Sequence, residues 1–416
     1  MRLLVVTQYF HPEEFPINHV CEALAARVTS VTVLTGQPNY PGGTVFEGFR
    51  AAGFGDQTLG KVSILRVPLM PRGKGGGLRL MLNYLSFIAS ASLFGPLRLR
   101  GQSFDAVLVY APSPLLQAIP AVFIKWLKRA PLSVWVQDLW PESLSATGFV
   151  KNRTILSAVE RCVRWIYRHT DLVLAQSEEF VAGIARYAPG RPIEVHYNSV
   201  APALIANPQA DVGGCPVPAL TESTFNVVFA GNLGKAQGLD VVLDAAARLR
   251  DNAAIRIFLI GSGSDSDRLA ARIRDEGLTN VVMPGRFPYP SMPAIFQHAD
   301  ALLVVLRSDP VLDLTIPSKL GVYLATGRPI IASLNGAGAR VVAESGGGRV
   351  CAAQDADGLE KAISDMASMA PDERAQMGVR GRDYYARRFE AGKLADDLSL
   401  RLSKLSADYR VRGPGK

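Results

Sequence analysis

The sequence predicts an α/β chain of two doubly wound halves, and three observations carry that prediction. With 416 residues, the chain suits two domains of about 200 residues each and is too long for a small module that needs disulfides or metals to hold a core. Short runs rich in Val, Ile and Leu alternate with helix-length segments, the pattern of buried parallel strands joined by crossover helices. That alternation stops once, in a proline-rich stretch, and then restarts.

The first half has strand-like runs at 3–7, 31–35, 63–67, 106–110, 132–137 and 172–175. Residues 201–223 follow, with four prolines and a Gly-Gly pair that no regular helix tolerates, and these predict a linker. The pattern resumes at 226–230, 255–260, 280–283, 301–306 and 329–333. Each half therefore reads as a Rossmann-like domain, 1–200 and 224–372, with 373–416 as closing charged helices. Two such domains facing across a cleft suit an enzyme with a nucleotide on one side and a second substrate on the other.

Composition narrows the class. Hydrophobic residues make up 48%, charged residues 20% and mean hydropathy is +0.14, which excludes a disordered chain. Cys21, Cys162, Cys215 and Cys351 lie tens of residues apart, so no spacing suggests a zinc site or redox dithiol, and a reducing cytoplasm is expected. The apolar run at 3–6 is too short for the core of a signal peptide. Lys and Arg outnumber Asp and Glu 20 to 13 in residues 1–200 but only 25 to 24 in 201–416. The first half thus expects an anionic partner or a solvated basic face. Nucleic acid is the weaker choice of partner, since no basic motif interleaved with aromatics appears, and an anionic membrane surface is the stronger.

Phosphate-binding candidates lie in the second half. Gly231-Asn-Leu-Gly-Lys-Ala-Gln-Gly238 follows a strand and opens a helix, so free backbone N–H groups face the strand tip, with Asn232, Lys235 and Gln237 beside them. In Ile316-Pro-Ser-Lys-Leu320 a helix starts at Pro317 and Ser318, which puts Lys319 in a first turn where a cation opposes the helix dipole unless an anion compensates it. Gly261-Ser-Gly-Ser-Asp-Ser266 is a weak dinucleotide fingerprint without its third glycine. Its Asp265 and Asp267 read as helix-capping carboxylates rather than as a metal-binding DxD.

These features resemble a family 4 retaining glycosyltransferase of the GT-B fold. The resemblance is carried by Thr7-Gln-Tyr-Phe-His-Pro-Glu13, Thr35-Gly-Gln-Pro-Asn-Tyr-Pro-Gly-Gly43, Gln137-Asp-Leu-Trp-Pro-Glu-Ser143, the Gly231 to Gly238 loop and Pro317-Ser-Lys319. Its motifs resemble the subgroup that includes the L-fucosamine-type transferases of O-antigen and capsule assembly. The resemblance implies a nucleotide diphosphate-sugar, here a UDP-sugar, held by Gly231, Asn232, Gln237, Gly261, Arg286 and Ser318, with no cofactor or essential metal. It also implies an acceptor on the N-terminal domain. The chain departs from the family in two places: Asn232 and Gln237 stand where most members carry Arg and Lys, and Leu314 and Val322 stand at the positions of two glutamates, the second of which usually holds the ribose.

The chemistry needs charge stabilisation for the leaving diphosphate and a proton acceptor for the attacking hydroxyl. Lys235 and Lys319 are the candidates for the first. Asp138, at the end of the 132–137 strand, is the candidate base, with a helix cap as its alternative task. His11, Glu13, Asn39 and Tyr40 are candidates for acceptor binding. His19, His169, His196 and His298 read as packing or surface residues.

Residues 80–97 are uncharged and are flanked by Arg72, Lys74 and Arg79 before them and Arg98 and Arg100 after. Length alone nominates a membrane span, but Asn83, three serines and Gly95-Pro96 argue for a monotopic interfacial helix or a packed domain helix. The expectation is a cytoplasmic protein held peripherally at the inner face of the cell membrane, acting on a lipid-linked acceptor of the undecaprenyl diphosphate type. A nucleotide-sugar 2-epimerase of the same fold is the alternative, and a nicotinamide enzyme or regulatory binder ranks behind it.

Overall fold

The computed structural model describes residues 1–73, 76–146, 152–202, 205, 215–220 and 224–412. They form two units, Met1–Ser199 with Ala391–Lys416, and Val200–Glu390. Most of the linker read at 201–223 lies outside the described residues, as does Lys74.

Unit 1 runs β1 (Arg2–Val6), α1 (Ile17–Ala25), β2 (Ser30–Thr35), β3 (Gly55–Leu59), β4 (Val62–Arg66), α2 (Gly77–Arg98), β5 (Ala106–Ala111), α3 (Ile119–Lys128), β6 (Leu132–Val136), α4 (Glu142–Ala146), α5 (Arg153–Arg168), β7 (Leu172–Ala175), α6 (Glu178–Ala185) and β8 (Ile193–Val195). Unit 2 runs β9 (Phe225–Asn232), α7 (Asp240–Arg248), β10 (Ile255–Ser262), α8 (Ser266–Asp275), β11 (Val281–Gly285), α9 (Met292–Gln297), β12 (Ala301–Val305), α10 (Ser318–Thr326), β13 (Ile330–Ser333), α11 (Gly336–Ser345), β14 (Gly348–Cys351), α12 (Ala356–Ser368) and α13 (Pro371–Arg388). The last helix, α14 (Ala391–Arg412), belongs to unit 1.

The unit 1 sheet has the order β3-β4-β2-β1-β5-β6-β7-β8 and the unit 2 sheet β11-β10-β9-β12-β13-β14. The second is the Rossmann order, in which the direction of winding reverses beside the first strand. Central strands such as β1, β5 and β6 are almost continuously apolar because both faces are covered. The one antiparallel pairing among the described residues is β3 with β4, at the edge. Its sequence, Gly-Asp-Gln-Thr-Leu, is polar because an edge strand faces water, so apolar runs gave no sign of it.

The C-terminal block divides where the sequence showed a single group of closing helices. Helix α13 packs on α10 and α11 of unit 2. Helix α14 places Ala395, Leu398 and Leu402 in the unit 1 core with Leu3, Val5, Cys21 and Leu108. Its amphipathic sequence announces a buried face without saying which sheet that face covers.

Candidate active site

The candidate donor side is built where β9, β10 and α10 end or begin. Strand β9 finishes at Gly231-Asn232, directly paired with Gly261-Ser262 of β10. Gly231 has φ 144° and Gly261 has φ 141°, backbone that side-chain-bearing residues rarely adopt. A Cβ on Gly231 would lie 2.9 Å from Lys319 Cε, and a Cβ on Gly261 would collide with the Gly231 carbonyl. The two glycines therefore let adjacent strand tips and the lysine approach one another.

Lys319 sits in the first turn of α10, whose first turn has no acidic residue. Its Nζ donates to Gln237 Oε1 at 2.7 Å and lies 3.6 Å from the centroid of the Phe229 ring. Burial pushes its pKa down to about 7. A half-buried ammonium with one neutral oxygen partner among the described residues, beside a helix N-terminus, is a cation held ready for an anion. Tyr323, which the sequence did not single out, braces the same strand end: its hydroxyl bonds both the Ala230 N–H (3.0 Å) and the Ala230 carbonyl (3.2 Å).

The other donor candidates differ in placement. Lys235 lies on a one-turn helix, Lys235–Gln237, and is exposed, as are Asn232, Arg286 and Ser318. Leu314, half-buried, and Val322, buried, are aliphatic, so neither position offers a carboxylate to a ribose. Asp265 occupies the N-cap position of α8 without capping it. Its carboxylate instead takes Arg268 at 2.6 Å, because that guanidinium also binds Asp240 and ties α7 to α8. Asp267 is exposed in the first turn. No cluster of three or more His, Cys, Asp or Glu able to hold a metal occurs among the described residues.

Asp138 follows β6 and heads α4. It accepts hydrogen bonds from the Ser143 hydroxyl and from Trp140 Nε1, the latter at 3.2 Å. Burial raises its pKa above the usual carboxylate range, while the hydrogen bonds from Ser143, Ser113 and Trp140 pull the other way. The side chain is thus anchored to α4 through Ser143, and the Leu139 backbone N–H also bonds it. A carboxylate of raised basicity is suited to take a proton.

The candidate acceptor residues fall into two kinds. Glu13 is 1% exposed and accepts the backbone N–H groups of Phe10, Asn39 and Tyr40 at 3.1, 2.8 and 2.8 Å. Burial raises its pKa despite these bonds. Asn39 is fully buried, donating to the Gln37 carbonyl and accepting from the Arg72 N–H and Asn83 Nδ2. Both therefore correct the acceptor-contact reading: their polar atoms are occupied in holding two strand-exit loops together. Tyr40 and His11 are exposed. The Arg72 guanidinium lies 5.0 Å from the Tyr40 ring centroid. Asn83, which the sequence showed as a blemish in an apolar run, is fully buried and also bonds Gln8 Nε2 (2.7 Å) and the Met70 carbonyl (2.7 Å), locking α2 to these loops.

Helix α2 runs unbroken through Gly95-Pro96. It is long and apolar enough to cross a membrane, and only 28% of its apolar window is buried. Phe87, Ala91 and Gly95 face inward while Leu78, Met81, Leu85, Leu93 and Leu97 are exposed. Of its basic flanks, Arg79 and Arg100 are exposed, but Arg98 pairs with Asp56 and leans on Phe54, so it is not free for headgroups.

Two parallel-sheet α/β units, one carrying a half-buried lysine at glycine-lined strand tips, define a GT-B glycosyltransferase. Residues 17–200 match the family described as glycosyl transferase 4-like domain, and residues 224–369 match glycosyl transferases group 1. The chain belongs to this two-domain glycosyltransferase family. It is 25% identical over 350 residues to WcaI of Escherichia coli K12, described as a colanic acid biosynthesis glycosyl transferase, across 79% of this chain and 82% of that one. It is also 25% identical over 309 residues to the glycosyltransferase WbjE of Pseudomonas aeruginosa, across 70% and 73%. Among solved structures, Anabaena HepE in complex with UDP superposes with a TM-score of 0.64 at 15% identity, covering 97% of this chain and all of the other.

Proposed function

We propose that the protein transfers an N-acetylated hexosamine-type sugar, with retention at the anomeric carbon, from a UDP-sugar to a lipid-linked saccharide during cell-surface polysaccharide assembly. The observation that carries this reading is Lys319, half-buried beside Gly231 and Gln237 at the strand tips with no acidic partner among the described residues. Its chemistry matches a diphosphate, whose charge restores the ammonium that burial disfavours. The UDP complex of HepE supports the nucleotide, and the colanic acid role of WcaI supports the polysaccharide context.

In this reading the bond from the anomeric carbon to the diphosphate oxygen breaks and its electron pair stays with the phosphate. Lys319 balances the charge that develops there, with Lys235 as an exposed second cation. The acceptor hydroxyl bonds the anomeric carbon on the face the diphosphate leaves, and Asp138 takes its proton. Lys319 supplies the positive charge, so the reading requires no resident metal.

Peripheral attachment to the cytoplasmic face of the membrane belongs to the same reading, motivated by the exposed apolar face of α2 and the basic excess of residues 1–200. Co-sedimentation with anionic liposomes that falls at high salt supports it, and absence of co-sedimentation at any salt returns α2 to an ordinary domain helix.

The donor test is a thermal-shift screen of UDP-, GDP- and dTDP-sugars, in which a ligand at 100 times its Kd stabilises by about 2.7 kcal/mol. UDP-N-acetylhexosamines should shift the transition most. Transfer is then assayed with a prenyl diphosphate saccharide. Turnover of donor alone to its 2-epimer, without acceptor, would establish the epimerase instead.

A further inference from the structure

Unit 1 holds a cavity of about 690 Å³ whose walls include Val45, Met70, Pro71, Arg79 and Leu82. Its size is that of a small-ligand pocket. Aliphatic side chains and proline dominate these walls, and the apolar surface continues outward along α2 through Leu78, Met81 and Leu85, which are 67%, 49% and 49% exposed. A row of large aliphatic side chains left in water beside a concave apolar wall marks a surface that something apolar covers.

The charge at the same place is one-sided. Arg79 lines the cavity, lies against Gly73 and makes no hydrogen bond or ion pair among the described residues. Arg72, between Pro71 and Gly73, has its guanidinium over Tyr40 and no carboxylate partner among the described residues. A guanidinium without counter-charge among the described residues, set in the wall of an apolar hollow, is complementary to a molecule with a phosphate at one end and hydrocarbon at the other. A guanidinium binds phosphate through paired N–H donors, which favours phosphate over a diffuse negative surface.

We propose that this cavity binds the head of a lipid phosphate, with the phosphate on Arg79 and the first apolar units of the chain between Val45, Met70 and Leu82. The inference rests on reading unit 1 as the acceptor side, and it assigns the lipid end of the acceptor to a defined pocket rather than to the membrane at large. A concave site of this volume takes a single chain, whereas a bilayer surface is met by the convex face of α2.

The test is calorimetric titration of the full chain, saturated with UDP so that the donor site is filled, with farnesyl diphosphate below its aggregation concentration. Inorganic diphosphate and farnesol serve as head-only and tail-only probes. Farnesyl diphosphate should bind at least tenfold more tightly than either fragment. Arg79→Gln and Leu82→Asp should each weaken it about tenfold or more, with thermal unfolding and UDP affinity unchanged, since both side chains are at the surface. Equal binding of inorganic diphosphate, or indifference to both substitutions, overturns the proposal. So does binding to anionic vesicles without binding to farnesyl diphosphate, which would assign the surface to bulk lipid. If farnesyl diphosphate binds here but does not compete with transfer to the lipid-linked acceptor, the pocket stands and the acceptor reading of unit 1 falls.

Discussion

The strand-exit loops of unit 1 and the strand tips of unit 2 handle polar groups in opposite ways. In unit 1, Glu13, Asn39 and Asn83 are buried and bonded to backbone groups or to each other, so the loops are held by a network with few free valences. In unit 2, Lys319 is half-buried with one neutral oxygen partner among the described residues, and Asn232, Lys235 and Ser318 face solvent. A satisfied buried network rigidifies, whereas an unfinished one has a cost that a ligand of the right charge removes. The difference teaches that the strand tips of unit 2 leave a charge for an anion to complete, while the strand-exit loops of unit 1 are already held in shape.

The largest test of that contrast is Leu398→Ala. Leu398 is fully buried in the unit 1 core, and its truncation should cost unit 1 about 2–5 kcal/mol. Hydrogen exchange should show the loss in unit 1 alone, with UDP affinity intact; equal loss in both units would mean that the two are not energetically separate. Next, Asp138→Asn should lower turnover by about 10²-fold or more while UDP affinity stays near wild type, since a base acts on the acceptor proton. Loss of UDP binding with normal turnover would remove Asp138 from that role.

Lys319→Ala should weaken UDP binding by about 1–3 kcal/mol, measured by calorimetry. The same lysine sets a pH dependence. Below about pH 7 its ammonium is already present. Above that, UDP binding must take up a proton, so affinity should fall by up to about tenfold per pH unit until the raised pKa of the complex is reached. Lys319→Ala should be flat over that range, and proton uptake should show as a buffer-dependent binding enthalpy. The smallest effect is Lys235→Ala: an exposed charge is screened, so UDP affinity should drop only about twofold to fivefold. A larger loss for Lys235 than for Lys319 would reverse the ranking that burial implies.

Much of the fold was legible because buried parallel strands are written as apolar runs, and β1, β2, β5, β6, β9, β10 and β12 all carry that mark. Strand β3 was not legible, since a solvated edge needs no apolar face. At the site, Gly231, Gln237 and Lys319 were visible as motif residues, and the structure joins them. Glu13 and Asn39 were equally visible, but which groups they bond depends on tertiary contacts. Asn83 shows the limit most clearly. Its polarity in an apolar helix is plain in the sequence, while the residues it bonds, Gln8 and Asn39, are 75 and 44 positions away.

The return of α14 to unit 1 has a consequence for the order in which the protein forms on the ribosome. Residues 200–390 are enclosed within unit 1 in the chain, so the inserted unit can emerge whole and pack while its host still lacks Ala395, Leu398 and Leu402. Until the last helix is released, Val5, Cys21 and Leu108 have one side of their core open to water, an invitation to misassembly. The first-made half of the polypeptide is therefore the last to close. A stop codon at the junction between α13 and α14 would leave that half without one wall of its core, although the inserted unit would be complete.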